Sequence, residues 1–212
     1  MQQVIIDFLV ELLKFLAASG IFAILFRSFL KFRKVKNKKA IEQGFINSAK
    51  IAELLANFRY TAKASRVMLV ASHNGNGLPE RGKPLKLSVI HEAVDDPAKA
   101  VKSELQDVLL DEPDLYVLYR LITSDDGYIT VKDEEMERGV FFRLNEYLNV
   151  HDTFMIKVGP HSKNFYFVVV QWAEDRKRQS GFDKDFTLRF DILRSKISKL
   201  MDVEVEKPWW QF

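Results

Sequence analysis

The spacing of apolar residues changes character along the chain, and each change predicts a different element. Residues Val4 to Leu30 are mostly Ile, Leu, Phe, Val and Ala, with no charge between Phe15 and Phe26. A helix needs about 20 largely apolar residues to cross a bilayer. Phe8 to Phe26 nearly meets that length, and its exceptions, Glu11 and Lys14, are three apart and can pair on one helix face. Phe8, Leu12, Phe15, Ile21, Ile24 and Phe26 are the expected lipid-facing positions. Beyond this run the chain has no proline before Pro79, which predicts a helix continuing to about Tyr60. There Phe45, Ser48, Ile51, Ala52, Leu55 and Phe58 recur at helical spacing and define one face to bury.

From Ser65 the period shortens. Arg66 to Ser72 reads as a buried strand, followed by a loop, His73-Asn-Gly-Asn-Gly77, rich in residues that tolerate positive φ. Leu85 to Ala93 predicts a second strand, and Pro97 suits the first turn of a helix over Ala98 to Leu110. A short helix is expected over Asp114 to Ile122, a strand over Tyr128 to Val131, and a helix from Glu134 to Leu148 capped by Asp133, with Gly139 in its interior. Asp152 to Val158 and Asn164 to Trp172 are the strongest strand signals, joined by Gly159 to Lys163 as a hairpin. Asp183 caps a last helix whose Phe186, Phe190, Leu193, Ile197 and Leu200 form a single buried stripe. Hairpins make the sheet mainly antiparallel with helices on its faces, an α+β arrangement.

Charge refines the first forty residues. The chain is net +3, yet Arg27 to Lys39 holds seven basic residues and no acid, which leaves the remainder at −4. A basic flank beside an apolar run stays on the cytoplasmic side and contacts anionic lipid, here through Lys31, Arg33, Lys34 and Lys36. A cleaved signal peptide wants a basic start, whereas Asp7 and Glu11 precede this core. An amphipathic helix lying on a membrane, or packing into an oligomer through its charged stripe, is the alternative to a transmembrane one. The basic run holds only Phe32 as an aromatic, which argues against a nucleic-acid arm. The division expected is residues 1–30 as anchor, 31–42 as basic linker, 43–203 as the folded domain and 204–212 as an aromatic tail.

The order of elements resembles the GAF domain, a ligand- and signal-sensing module. The residues that carry the likeness are Ile51 to Tyr60 and Ala64 to Val70, Leu144 to Val158, then Asn164 to Trp172 and Asp183 to Met201. Ser72-His-Asn-Gly75 followed by Leu87-Ser-Val-Ile-His-Glu92 looks like a subgroup with a His-Asn-Gly turn after the first strand. Small membrane-anchored versions of that subgroup occur in bacteria and bacteriophages. The resemblance implies a GAF-like central sheet preceded by one transmembrane or amphipathic helix, and a bacterial inner-membrane protein with its C-terminal domain in the cytoplasm, virion-associated if phage-encoded. Bilin-binding relatives attach the chromophore through a cysteine, and this chain has none. The Asn-Lys-any-Phe-Asp-Glu sequence of cyclic-nucleotide-binding relatives is also absent, and no output activity is expected to carry over from the resemblance.

Candidate chemistry is sparse. His73, Asn74 and Gly75 can rim a ligand pocket at the end of the first strand, or simply build a turn. His91 and Glu92 end the second strand within expected reach of His73, and Tyr119 and Arg120 can cover the same pocket as a lid. Four histidines and no cysteine give no metal-ligand spacing, and Ser72 beside His73 points to the opposite face, so neither a metal, a cofactor nor an enzyme is expected. Trp209, Trp210 and Phe212 can dock on a partner, insert at a membrane interface or fold back onto the domain. The expected function is a membrane-tethered, non-enzymatic sensing module with a small-molecule ligand and a homo-oligomeric face on its terminal helices. The alternative is a phage-encoded membrane or virion protein using the fold as an assembly block.

Overall fold

The structure, a computed structural model, describes residues 5–11, 14, 21–74, 84–132, 139–161, 164–173 and 184–201. The chain divides into two compact units, residues 1–46 and 47–212. In the first, residues 5–11 are helical and expose Ile5, Ile6, Phe8, Leu9 and Val10. Helix α1 begins at Ile21 and runs to Ala62. Among the described residues no helix is long and apolar enough to cross a membrane. The described part of α1 runs from its apolar start straight into the basic residues from Arg27 onward, and residues 12, 13 and 15–20 of the predicted span Phe8 to Phe26 lie outside the described residues. Leu12 and Phe15 lie outside the described residues.

The second unit is built on a six-stranded antiparallel sheet of β1 (Arg66–His73), β2 (Lys86–Val94), β3 (Val108–Leu109), β4 (Tyr128–Lys132), β5 (Val150–His161) and β6 (Asn164–Ala173). The strands lie in the order β3-β2-β1-β6-β5-β4. Helices α2 (Glu112–Thr123), α3 (Val140–Leu148) and α4 (Lys184–Met201) complete the unit with the end of α1. Alternation along the strands sorts the core into two layers. Met68, Val70, Met155, Phe167 and Val169 pack with Val117, Leu121, Phe141 and Leu144 of α2 and α3. Val67, Leu69, Phe154, Val168 and Val170 pack with Ile51, Leu55 and Phe58 of α1 and Phe190, Leu193 and Ile197 of α4. The central strands are buried on both faces, which is why β1 and β6 read as continuous apolar runs. In the second layer Phe190 stacks on Phe154 at 4.3 Å between ring centroids and meets Phe186 edge-on at 4.4 Å.

Several boundaries differ from expectation, each for a physical reason. The helix expected over Ala98 to Leu110 is instead a single 3-10 turn, Pro97–Lys99, and the short strand β3. Pro97 does begin a turn capped by Asp96, whose carboxylate accepts from Ala98 N at 3.0 Å. Glu92 then captures the N–H groups of Val101 and Lys102, and Val89 N donates to Leu105 O, tying the segment along the edge of β2. Gly139 is the N-cap of α3 rather than an interior residue, and Asp133, its predicted cap, lies outside the described residues, as does Asp183. The hairpin is tighter than expected, because Gly159, Pro160 and His161 remain in register with β6. On α1 the buried stripe starts at Asn47; Phe45 is 73% exposed.

Candidate functional site

A polar cluster marks the point where β1 leaves the sheet. His73 is the last residue of β1, pairs in register with Lys86 and is buried. Its Nε2 lies 2.9 Å from Ser88 Oγ on the adjacent strand and 3.7 Å from Asp107 Oδ1. Asp107 donates its backbone N–H to the same Ser88 oxygen at 2.9 Å, and it does so from a left-handed conformation, φ 55°. Asn74 follows, half-buried, and its Nδ2 is enclosed with no hydrogen-bond partner among the described residues. Gly75 lies outside them. Ser88 and Asp107 both approach one ring nitrogen, so this is not a Ser-His-Asp relay, which uses the two nitrogens for different partners. It is an arrangement of donors and acceptors suited to holding a polar ligand atom.

The other predicted residues fall elsewhere. His91 pairs with Leu69, at the opposite end of β2 from the partner of His73. Its Nε2 is 3.3 Å from Ser48 Oγ of α1, and burial, reinforced by Lys102, holds its pKa below the usual value. Tyr119 and Arg120 sit on α2, whose buried face belongs to the opposite layer. Tyr119 is exposed and Arg120 half-buried. The side chains of Arg33, Lys34, Lys36, Ile21, Ile24 and Phe26 are outside the description, as are Trp209, Trp210 and Phe212; Lys31 is exposed.

Glu92 belongs to the framework. A shift of register between Leu69 and Val70 places an extra residue, Ile90, in β2, which turns Glu92 toward the α2 and α3 layer. There Arg66 Nε lies 2.8 Å from Glu92 Oε1, with both side chains nearly fully buried. The contact is ionic, since Nε is not aligned for a hydrogen bond. Arg66 also donates to Lys99 O and to Gln171 Oε1, the latter at 3.3 Å. Gln171 Nε2 donates to Asn145 Oδ1 at 2.7 Å, and Asn145 Nδ2 to Thr153 Oγ1 at 3.0 Å. Arg66, Gln171 and Thr153 are direct neighbours across β1, β6 and β5, so a linked row of polar side chains crosses an otherwise apolar layer. Desolvation pulls the Arg66 pKa down, and Glu92 opposes the fall. Sequence reading missed this row, although an Arg opening one apolar strand and a Gln within another were its visible signals.

A second buried carboxylate holds α3. Asp114 of α2 accepts from Val140 N at 2.9 Å and Phe141 N at 3.0 Å, taking up orphan donors of that helix start. Burial, reinforced by neighbouring Asp111, raises its carboxyl to about 6. Gly139 is required here by space: a Cβ would sit 2.5 Å from Asp114 Oδ1.

No family model matches the chain, and no curated protein matches it significantly. Solved structures do. The blue-light-absorbing form of the PixJ GAF domain from Thermosynechococcus elongatus gives a TM-score of 0.52 at 13% identity, covering 76% of this chain and 87% of that one. A further structure of the cyanobacteriochrome receptor PixJ gives 0.52 at 12% identity, covering 76% and 99%. With the antiparallel strand order and helical layers on both faces, these likenesses give the chain the GAF fold.

Proposed function

We propose that this chain is a non-enzymatic, small-molecule-sensing module, held at the cytoplasmic face of a bacterial-type membrane by its N-terminal segment. The observation that carries the sensing role is the His73, Ser88 and Asp107 cluster with the enclosed Asn74 amide, set at a sheet end of a GAF fold. An enclosed amide donor calls for an acceptor, so the ligand carries a carbonyl or carboxylate oxygen. The fold's neighbour PixJ is a receptor, which supports the same reading. The tether rests on the exposed Ile5, Ile6, Phe8, Leu9 and Val10, the apolar sequence continuing to Phe26, and the basic residues behind it. Self-association is assigned to the terminal helices, where α4 exposes Leu188 and Ile192.

Thermal-shift screening of the full chain against nucleotides and carboxylate metabolites tests the sensing role. A ligand at 100 times its dissociation constant adds about 2.7 kcal/mol; the shift should vanish in His73→Gln, and a panel without any shift counts against the proposal. Flotation with anionic and neutral vesicles tests the tether: the full chain should float preferentially with anionic vesicles and a chain lacking residues 1–30 should not. Full-length protein that stays at the bottom with both would remove the tether.

A further inference from the structure

Helix α2 is apolar on both faces. It buries Val117, Leu118 and Leu121 in the core, yet Leu115, Tyr116, Tyr119 and Ile122 stay between 41% and 63% exposed. Leu115, Tyr119 and Ile122 follow the i, i+4, i+7 spacing of one helix face, and Tyr116 widens that stripe. A helix apolar all round is normally covered all round, and a clustered apolar patch on a surface marks an interaction site. Charge gathers at the two ends of the stripe. Asp111 at the helix start is answered by Arg143 at 3.7 Å, and Lys157 Nζ donates to Ile122 O at 2.9 Å. Glu112 at one end, and Asp125 and Asp126 just past the other, are exposed and form no ion pair among the described residues. Arg120, the one basic residue of α2, is half-buried and already engaged.

We propose that the outward face of α2 docks an amphipathic helix of a partner protein, apolar along one side and basic at both ends. Three arguments select that occupant. An extended segment laid on this apolar face would leave its own N–H and C=O groups without partners, whereas a helix satisfies them internally. The free carboxylates at the two ends call for cations opposite them. Two copies meeting through α2 would instead set Glu112 against Asp125 and Asp126 in an antiparallel pair, or like against like in a parallel one, and an anionic lipid surface would be repelled in the same way. Tyr116 and Tyr119 are the residue type that most often anchors protein interfaces. The 12 residues of α2 span about 18 Å, so the partner's basic groups stand about three turns apart. This surface lies away from the β1 terminus, and docking there does not depend on the sensing role.

The probe is a synthetic helical peptide of about 18 residues, with a leucine stripe and two lysines at each end, followed by fluorescence anisotropy on the full chain. It should bind at least about tenfold tighter than the same peptide with glutamates at its ends, a preference that shrinks as salt is raised. Tyr116→Ser with Tyr119→Ser changes only exposed side chains and should weaken the lysine peptide by about tenfold or more. Glu112→Lys with Asp125→Lys should transfer the preference to the glutamate peptide, which a general effect on folding would not do. Circular dichroism checks that each variant is folded. Absent binding, equal affinity for the two peptides, or a lysine peptide held equally by the tyrosine variant would overturn the proposal. A tyrosine variant that loses self-association, or loses flotation with anionic vesicles, would also overturn it, because a second copy or a lipid surface would then be the occupant.

Discussion

Replacing Glu92 by Gln is the sharpest perturbation of this fold. The carboxylate is buried, faces Arg66 Nε at 2.8 Å, and accepts from Val101 N at 3.0 Å and Lys102 N at 2.8 Å. The amide of Gln removes the countercharge of a guanidinium that water does not reach, and its NH₂ group meets N–H donors where an oxygen had accepted. Breaking one side of a buried ion pair costs about 3–5 kcal/mol, a large share of the roughly 5–15 kcal/mol that holds a domain together. Urea denaturation of the full chain, followed by near-ultraviolet circular dichroism, should show the midpoint of Glu92→Gln fall by that amount with little change in slope. The double variant Arg66→Met, Glu92→Gln should recover part of the loss, since no unpaired charge remains. A loss below about 1 kcal/mol, or strict additivity of the two changes, would refute the reasoning that the pair is dry and coupled.

Other expectations follow from the same geometry. Asp114 has its carboxyl raised to about 6, so its contribution to stability is fully present below the unfolded value near 3.8 and is lost as pH rises through about 6. Urea midpoints from pH 4 to 7 should therefore decline more steeply in the native chain than in Asp114→Asn, by at most about 3 kcal/mol; parallel profiles would contradict this. Phe190→Ala empties the centre of the aromatic cluster formed with Phe58, Phe154 and Phe186 and should cost about 3–5 kcal/mol in the same assay. Lys63 ends α1 at φ 51°, a left-handed position, and Lys63→Gly should raise stability by about 1 kcal/mol as read by thermal unfolding.

The elements legible in the sequence were those whose signal is local. The stripe on α4 and the two long strands of the hairpin follow from period alone, and Phe190, Leu193 and Ile197 are buried as their spacing requires. The segment after Pro97 was not legible, because its conformation is decided by Glu92 across the sheet rather than by its own propensity. Glu92 itself looked like a ligand-binding residue beside His91. Alternation alone sends the two side chains to opposite faces of β2, and the extra residue at Ile90 decides that Glu92 is the one turned toward the α2 and α3 layer. The partners of His73 could not be read either, since Asp107 reaches it from a loop 34 positions away in sequence, adopted through a positive φ that aspartate tolerates better than most residues.

Native mass spectrometry of the full chain, incubated with a bacterial small-molecule extract and compared with His73→Gln, tests the sensing role most directly. The native chain should carry one adduct per polypeptide, and the variant, folded by circular dichroism, should carry none. A native chain at its bare mass under all conditions, or an adduct equally retained by the variant, would contradict the assignment of the β1 terminus as the binding site.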